Sequence, residues 1–309
     1  MELGAYDYKF KYLEIEDIWY ILMALSDSTF SSIEASIGKK GVYWLSCEAI
    51  MSVMNTVISI DFCCYRGAYS DAYTLIRKYR DDLIQYLFVL NVIKNTHGLS
   101  EDELKNISLD EDGLLRMIEL DFQILASGVR KSNVEFAMES WMYNDLESVD
   151  CSKMRKEFFD TSKYKKYLIS TNDSVAYIMN RFLNSKWKVE DRKLNNYVHT
   201  NGIRYLTENY VYQQKKEQRD KELIETVKNI TDIFLSLLAV IDSVKMQSSD
   251  YLDDMEMGVQ PREGSQYFVC PCIVKYMNAR FDEQLILYIQ ENEKNGMKFM
   301  LKDVFEETK

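Results

Sequence analysis

Proline is nearly absent from this chain of 309 residues: only Pro261 and Pro271 occur, alongside eleven glycines. Sandwiches and barrels need many turn residues, so this scarcity argues against them and for long helices. Histidine is equally scarce. His97 and His199 are the only two, too few for a His-rich metal site. There is no glycine-rich phosphate loop, no Gly-x-Ser-x-Gly and no His-Glu-x-x-His. The six cysteines (Cys47, Cys63, Cys64, Cys151, Cys270 and Cys272) form no Cys-x-x-Cys pair. Adjacent Cys63 and Cys64 do not suit a disulfide framework, and free thiols of a cytoplasmic protein are the expectation. Cys270-Pro271-Cys272 weighs as packing rather than as metal ligation, so no metal or other cofactor is expected. The first residues lack the basic and apolar regions of a signal peptide. The longest apolar patch, 233–241, is too short to span a bilayer, so no membrane partner is expected.

What is present is an ordinary globular composition, 47% hydrophobic, which excludes wholesale disorder. The net charge of −11 argues against a general nucleic-acid coating protein. That charge is unevenly spread. Between Cys151 and Arg204 lie 12 Lys/Arg against 5 Asp/Glu, a local net of +7 in an otherwise acidic chain. Apolar spacing predicts a helix over Tyr12–Leu25, a short one through Ile37, and a long one from Tyr43 to Cys64. Further helices are expected at Gly67–Leu90, Leu114–Leu125, Asn133–Leu146 and Ser152–Leu168, from a cap at Asp173 or Ser174 through Phe182 and Leu183, and at Leu223–Met246, with the charged run Lys215–Glu222 an ambiguous junction. Gln247–Ser265 reads as a linker, and Gln266–Val274 and Met297–Leu301 have strand character. The expected architecture is an all-α multi-helix bundle with a small mixed α/β appendage. Residues 1–42 are N-terminal helices, 43–247 the core domain and 258–309 the appendage.

Chemistry is concentrated in Arg192-Lys-Leu-Asn-Asn-Tyr-Val-His199-Thr-Asn-Gly202. On a helix, Arg192, Asn195, Asn196 and His199 fall within an arc of roughly 100°, opposite Leu194, Tyr197 and Val198. Glu190 and Asp191 suit the start of this helix and Gly202 its end. Metal-free RNA cleavage needs a group to take the 2′-hydroxyl proton, a group to protonate the leaving oxygen, and a cation on the phosphate. His199 supplies proton chemistry near neutral pH and Arg192 a bidentate phosphate contact. One copy has a single histidine here, and a symmetric dimer apposing two such helices would complete the set. The bland alternative is a hydrogen-bonded histidine at a helix end in a helical interaction module. His97, in a polar acidic connection, reads as a cap or surface residue.

A second stretch, Gly67 to Leu90, carries the apolar stripe Tyr69, Ala72, Tyr73, Ile76, Tyr79, Leu83, Leu87 and Leu90. Arg80 lies inside that stripe, and a buried guanidinium requires a partner acid or a bound anion. Arg77 lies at the stripe's edge.

Arg-x6-His at a helix end resembles the Arg-x(4–6)-His signature of the HEPN superfamily, helical bundles that include metal-independent ribonucleases of toxin–antitoxin, abortive-infection and antiphage systems. Leu194-Asn-Asn-Tyr-Val-His199-Thr-Asn-Gly202 is similar to a Leu-Asn-x-x-Val-His-Gly stretch of one bacterial branch. Gly67-Ala-Tyr-Ser-Asp-Ala-Tyr-Thr-Leu-Ile-Arg77 resembles that branch's Gly-x-x-x-x-Ala-x-x-Leu-x-Arg helix. The resemblance covers about 43–212. It implies His199 as general acid/base, Arg192 on the scissile phosphate, and Asn195 or Asn196 orienting phosphate or imidazole. Arg77 and Arg80 would extend the anion site, with Lys193 beside it. It further implies RNA as partner, a homodimer, and a possible partner protein or antitoxin. Two departures stand out. Lys193 replaces the usual Asn, Asp or His after the motif arginine, and Arg80-Asp81-Asp82 replaces a glutamate. They keep open a non-catalytic member that binds RNA or a partner protein.

Overall fold

The computed structural model describes residues 8–27, 33–38, 41–46, 48–95, 133–134, 137–138, 160–199, 201–210 and 215–299. It is mostly helical, as the shortage of turn residues requires. The expected helices at Leu114–Leu125 and His97 lie outside the described residues, as does most of Asn133–Leu146. The chain divides into two compact units. One comprises Met1–Ser32, Cys47–Ile84 and Asn172–Lys309; the other comprises Ile33–Ser46 and Gln85–Thr171.

In the first unit, α1 (Leu13–Asp27) buries Ile15, Ile18, Trp19, Ile21, Leu22 and Leu25 at helical spacing, leaving Leu13 exposed. Helix α2 (Glu48–Arg66) carries the buried Asp61, which accepts the Tyr8 hydroxyl at 2.7 Å and the Lys11 and Tyr12 N–H groups. Gly67, at φ 74°, makes the reversal into α3 (Tyr69–Asn95), a left-handed conformation that disfavours any other residue. Every member of the α3 stripe from Tyr69 to Leu90 is buried.

The next helix differs from expectation. Asn172, not Asp173 or Ser174, caps α5 (Asp173–Ile178), its side chain accepting from the Val175 N–H at 3.1 Å. The helix does not stop near Leu183. It passes through a π turn, Met179–Leu183, directly into α6 (Asn184–Val198). Nothing in Asn184-Ser-Lys-Trp breaks a helix, so Glu190 and Asp191 sit mid-helix rather than at its positive end. The π turn absorbs one extra residue and keeps Ile178, Met179, Leu183 and Trp187 all buried.

After α7 (Ile203–Thr207), the charged run proves to be the opening of α8 (Lys216–Ile241). There Lys216–Asp220 and Lys221–Glu217 pair at helical spacing. From Ile230 to Ile241 every residue of α8 is buried, which makes it the central helix of its unit. A short α9 (Asp250–Glu256) precedes α10 (Pro271–Arg280) and α11 (Glu283–Asn292). The strand character of 266–274 and 297–301 is realised, among the described residues, only as single bridges, Gln247 with Val269 and Phe268 with Lys298. Pro271 starts a helix there because its fixed φ and missing N–H suit the first helical position.

In the second unit, β1 (Ile33–Gly38) and β2 (Gly41–Ser46) form an antiparallel hairpin where helix was expected. The alternation Ile33, Ala35, Ile37 before Gly38 has strand period, and the Gly38-Lys-Lys-Gly41 segment joins the strands. Helix α4 (Thr161–Thr171) packs Tyr164 and Tyr167 on Phe88, and Asn91 Nδ2 donates to Thr171 Oγ1 at 3.0 Å.

Candidate active site

The polar face of α6 is held beside α3 by aromatic packing. Tyr197 stacks on Tyr73 with centroids 4.1 Å apart and 15° between planes, and Tyr205 meets Tyr197 edge-on at 5.0 Å. Such pairs add about 0.5–1.5 kcal/mol beyond the area they bury. With Leu194 they fill the apolar side of the helix. Val198, expected on that side, is partly exposed.

Arg192 and His199 are both exposed on the opposite side, about 10 Å apart along the axis for seven residues of helix. His199 is the C-cap, and its N–H donates to the Asn195 carbonyl at 3.1 Å. Gly202, at φ 129°, begins the next helix rather than closing this one. Arg77 of α3 points to the same place. Its Nη1 lies 3.5 Å from His199 Nε2, and its Nε lies 3.5 Å from Asp81, one turn on. A guanidinium only donates, so in this contact Nε2 is the acceptor. Asn196 donates to the Tyr205 hydroxyl at 3.2 Å and accepts from Asn201 Nδ2 at 3.2 Å, so it braces the turn after the histidine. Asn195, half-exposed, lies between Arg192 and His199.

The other two cations are engaged inside the protein. Arg80, 3% exposed, bonds Asp81 at 2.8 Å and Asp191 at 2.8 Å, and its guanidinium lies 5.5 Å from the Trp187 ring centroid. The expected partner acid is present twice, as the sequence neighbour Asp81 and as Asp191 on α6. Lys193 reaches Glu190 at 3.0 Å and Thr226 at 2.9 Å, and Glu190 also accepts from Asn229. The surface cations at the site are therefore Arg77 and Arg192. Among the described residues Arg192 has no acidic partner, and no group of His, Cys, Asp and Glu is placed to hold a metal ion.

Sequence reasoning missed the pairing of Asp81 with Arg77 and the Tyr73–Tyr197 stack that brings the helices together. The i, i+4 spacing from Arg77 was the available signal for the first. No local signal links residues 73 and 197.

Among the described residues no helix is long and apolar enough to cross a membrane. Comparison with family models, with curated proteins and with solved structures finds no match.

Proposed function

We propose that the chain is a metal-independent endoribonuclease of the HEPN type, acting in bacterial antiphage defence or as a toxin, with a composite active site across a homodimer. The observation that carries this reading is the approach of Arg77 to His199 on an exposed face that also bears Arg192. A neutral imidazole takes the proton from a 2′-hydroxyl, whose oxygen attacks the adjacent phosphorus. Arg192 and Arg77 hold the charge that builds on the phosphate oxygens. His199 of the partner subunit protonates the leaving 5′-oxygen, giving a 2′,3′-cyclic phosphate and a free 5′-hydroxyl. Asn195 orients the phosphate between the two side chains.

The test is cleavage of a mixed RNA pool in the presence of a chelator. His199→Ala and Arg192→Ala each lose activity by about 100-fold or more, the scale of general acid–base and phosphate-clamp contributions. Arg77→Ala loses less, since Arg192 remains. Unchanged cleavage by His199→Ala overturns the enzyme reading.

The engagement of Lys193 by Glu190 and Thr226 favours a second reading, a non-catalytic member of the same fold that binds RNA or a partner protein. At the position after the motif arginine, this chain places a side chain that turns inward. Under that reading no RNA is cut, but RNA is bound with an affinity that falls steeply as salt rises.

A further inference from the structure

Helix α10 opens Cys270-Pro271-Cys272. Cys270 is the N-cap, and Pro271 occupies the first helical position, so the N–H groups of Cys272 and Ile273 lie near the Cys270 sulfur, that of Ile273 also donating to the Cys270 carbonyl at 3.0 Å. The two sulfurs are 3.4 Å apart, both half-buried, and not joined. A hydrogen bond links the Cys272 and Cys270 sulfurs. That bond, helped by the backbone N–H groups of Cys272 and Ile273, outweighs burial and brings Cys270 down to about 7. The same bond, with burial, pushes Cys272 up. The other described cysteines behave oppositely to Cys270: burial raises both Cys63 and Cys64. A cavity of about 270 Å³ adjoins Cys272, and its lining includes Glu14 and Asp17 together with Lys228, Lys275 and Arg280. Walls of both signs suit a small zwitterionic molecule.

We propose that Cys270 and Cys272 form a thiol–disulfide exchange site for low-molecular-weight peptide disulfides of the glutathione type. Cys270 is the attacking thiolate and Cys272 the resolving thiol. The Cys270 thiolate attacks one sulfur of the disulfide. A new S–S bond forms to Cys270, and the small disulfide's bond breaks to release one thiolate, which takes up a proton. Cys272 then loses its proton and attacks the Cys270 sulfur, releasing the second small thiol. Two protein thiols are oxidised to one disulfide, and one small disulfide is reduced to two thiols, with two electrons transferred.

The full chain, fully reduced, is treated with iodoacetamide across a pH series and each cysteine is followed by peptide mass mapping. Cys270 is alkylated with a half-maximal rate near pH 7, well ahead of Cys63 in the same digest. Cys272→Ala slows Cys270 at pH 7 by about tenfold or more, because the hydrogen bond that favours the thiolate is gone. With oxidised glutathione as the probe, the wild type ends as the Cys270–Cys272 disulfide, lighter by two hydrogens and carrying no adduct. Cys272→Ala holds glutathione on Cys270, and Cys272→Ser does the same as a second variant. Cys270 reacting no faster than Cys63 overturns the proposal, as does a wild-type adduct that persists without resolving. The wild-type measurements need no substitution, so a poorly folded variant does not blunt them.

Discussion

Arg77, Arg80 and Arg192 carry the same charge and have three different fates. Arg80 is buried, with its N–H groups bonded to Asp81 and Asp191 and its guanidinium close to the Trp187 ring. Arg77 is half-exposed, and Arg192 is exposed with no acidic partner among the described residues. Removing Arg80 strips a desolvated cation from two acids that can partly return to water, since Asp191 is 41% exposed. Arg80→Ala is expected to lower stability by about 2–4 kcal/mol, at or below the usual cost of breaking a buried pair. Arg77→Ala and Arg192→Ala are expected to stay within about 0.5 kcal/mol of wild type, as exposed positions do. Urea denaturation midpoints separate the two outcomes. An Arg80 variant as stable as the Arg192 one would mean that the guanidinium is not a structural member, and would restore it to the anion site.

At the scale of elements, α8 organises its unit through buried acids. Asp232 takes Lys186 of α6 at 2.6 Å, Arg280 of α10 at 2.9 Å and the Tyr276 hydroxyl at 2.9 Å. Asp220, one turn inside its start, takes the Tyr12 hydroxyl at 2.6 Å, the Tyr69 hydroxyl at 2.7 Å and Lys216 at 2.7 Å. Burial pushes the Asp220 carboxyl up, but bonds from Lys216, Tyr12 and Tyr69 together win and hold it below the usual carboxylate value. A carboxyl lowered by folding stabilises above its unfolded pKa, and that stabilisation is lost as pH falls through the folded value. Asp220→Asn is therefore expected to cost on the order of 1–3 kcal/mol at neutral pH, the range for hydrogen bonds to a charged group. The gap between wild type and variant in urea should hold down to about pH 4 and close below it. A gap independent of pH down to the acid limit would mean that the charge on Asp220 contributes nothing.

The same elements show what was legible in the sequence. Helical stripes with strong periodicity were readable, and the α3 stripe from Tyr69 to Leu90 is buried throughout. The arginine inside that stripe announced its own need for acids. Local competition was not readable. The Ile33–Ile37 segment offers a short apolar pattern that serves either period, and pairing with Gly41–Ser46 decides for a strand. The charged run 215–222 lacks an apolar stripe, yet it is helical because its pairs fall at i, i+4 and the buried half of α8 propagates it. The partners of the candidate site were invisible for a different reason. Tyr73 with Tyr197 and Arg77 with His199 are more than a hundred residues apart, and only the fold brings them together.

At the scale of the whole molecule, an acidic chain with one basic stretch has a direction built into it. The segment from Cys151 to Arg204 carries a net +7 within a total of −11, and α6 with its Arg192–His199 face lies in that stretch. Under the proposed function, this stretch is the part of the chain whose charge favours an RNA substrate. Two copies meeting there bring like charges together, so the RNA phosphates themselves would supply the counter-charge between them. Each copy has one imidazole on this face, while the proposed reaction needs one proton acceptor and one proton donor. If both come from His199 of two copies, a dimer with one His199→Ala chain is inactive at every site. Mixing wild type with an equal amount of His199→Ala, under conditions that allow subunit exchange, should then leave about one quarter of the wild-type activity, the statistical share of intact two-fold dimers. A chain that acts alone, or a dimer whose sites are independent, leaves about one half under the same isologous pairing. Activity at one half would overturn the composite site while leaving His199 as a catalytic group within one chain. Sedimentation of the mixture, run in parallel, verifies that the two chain types have exchanged.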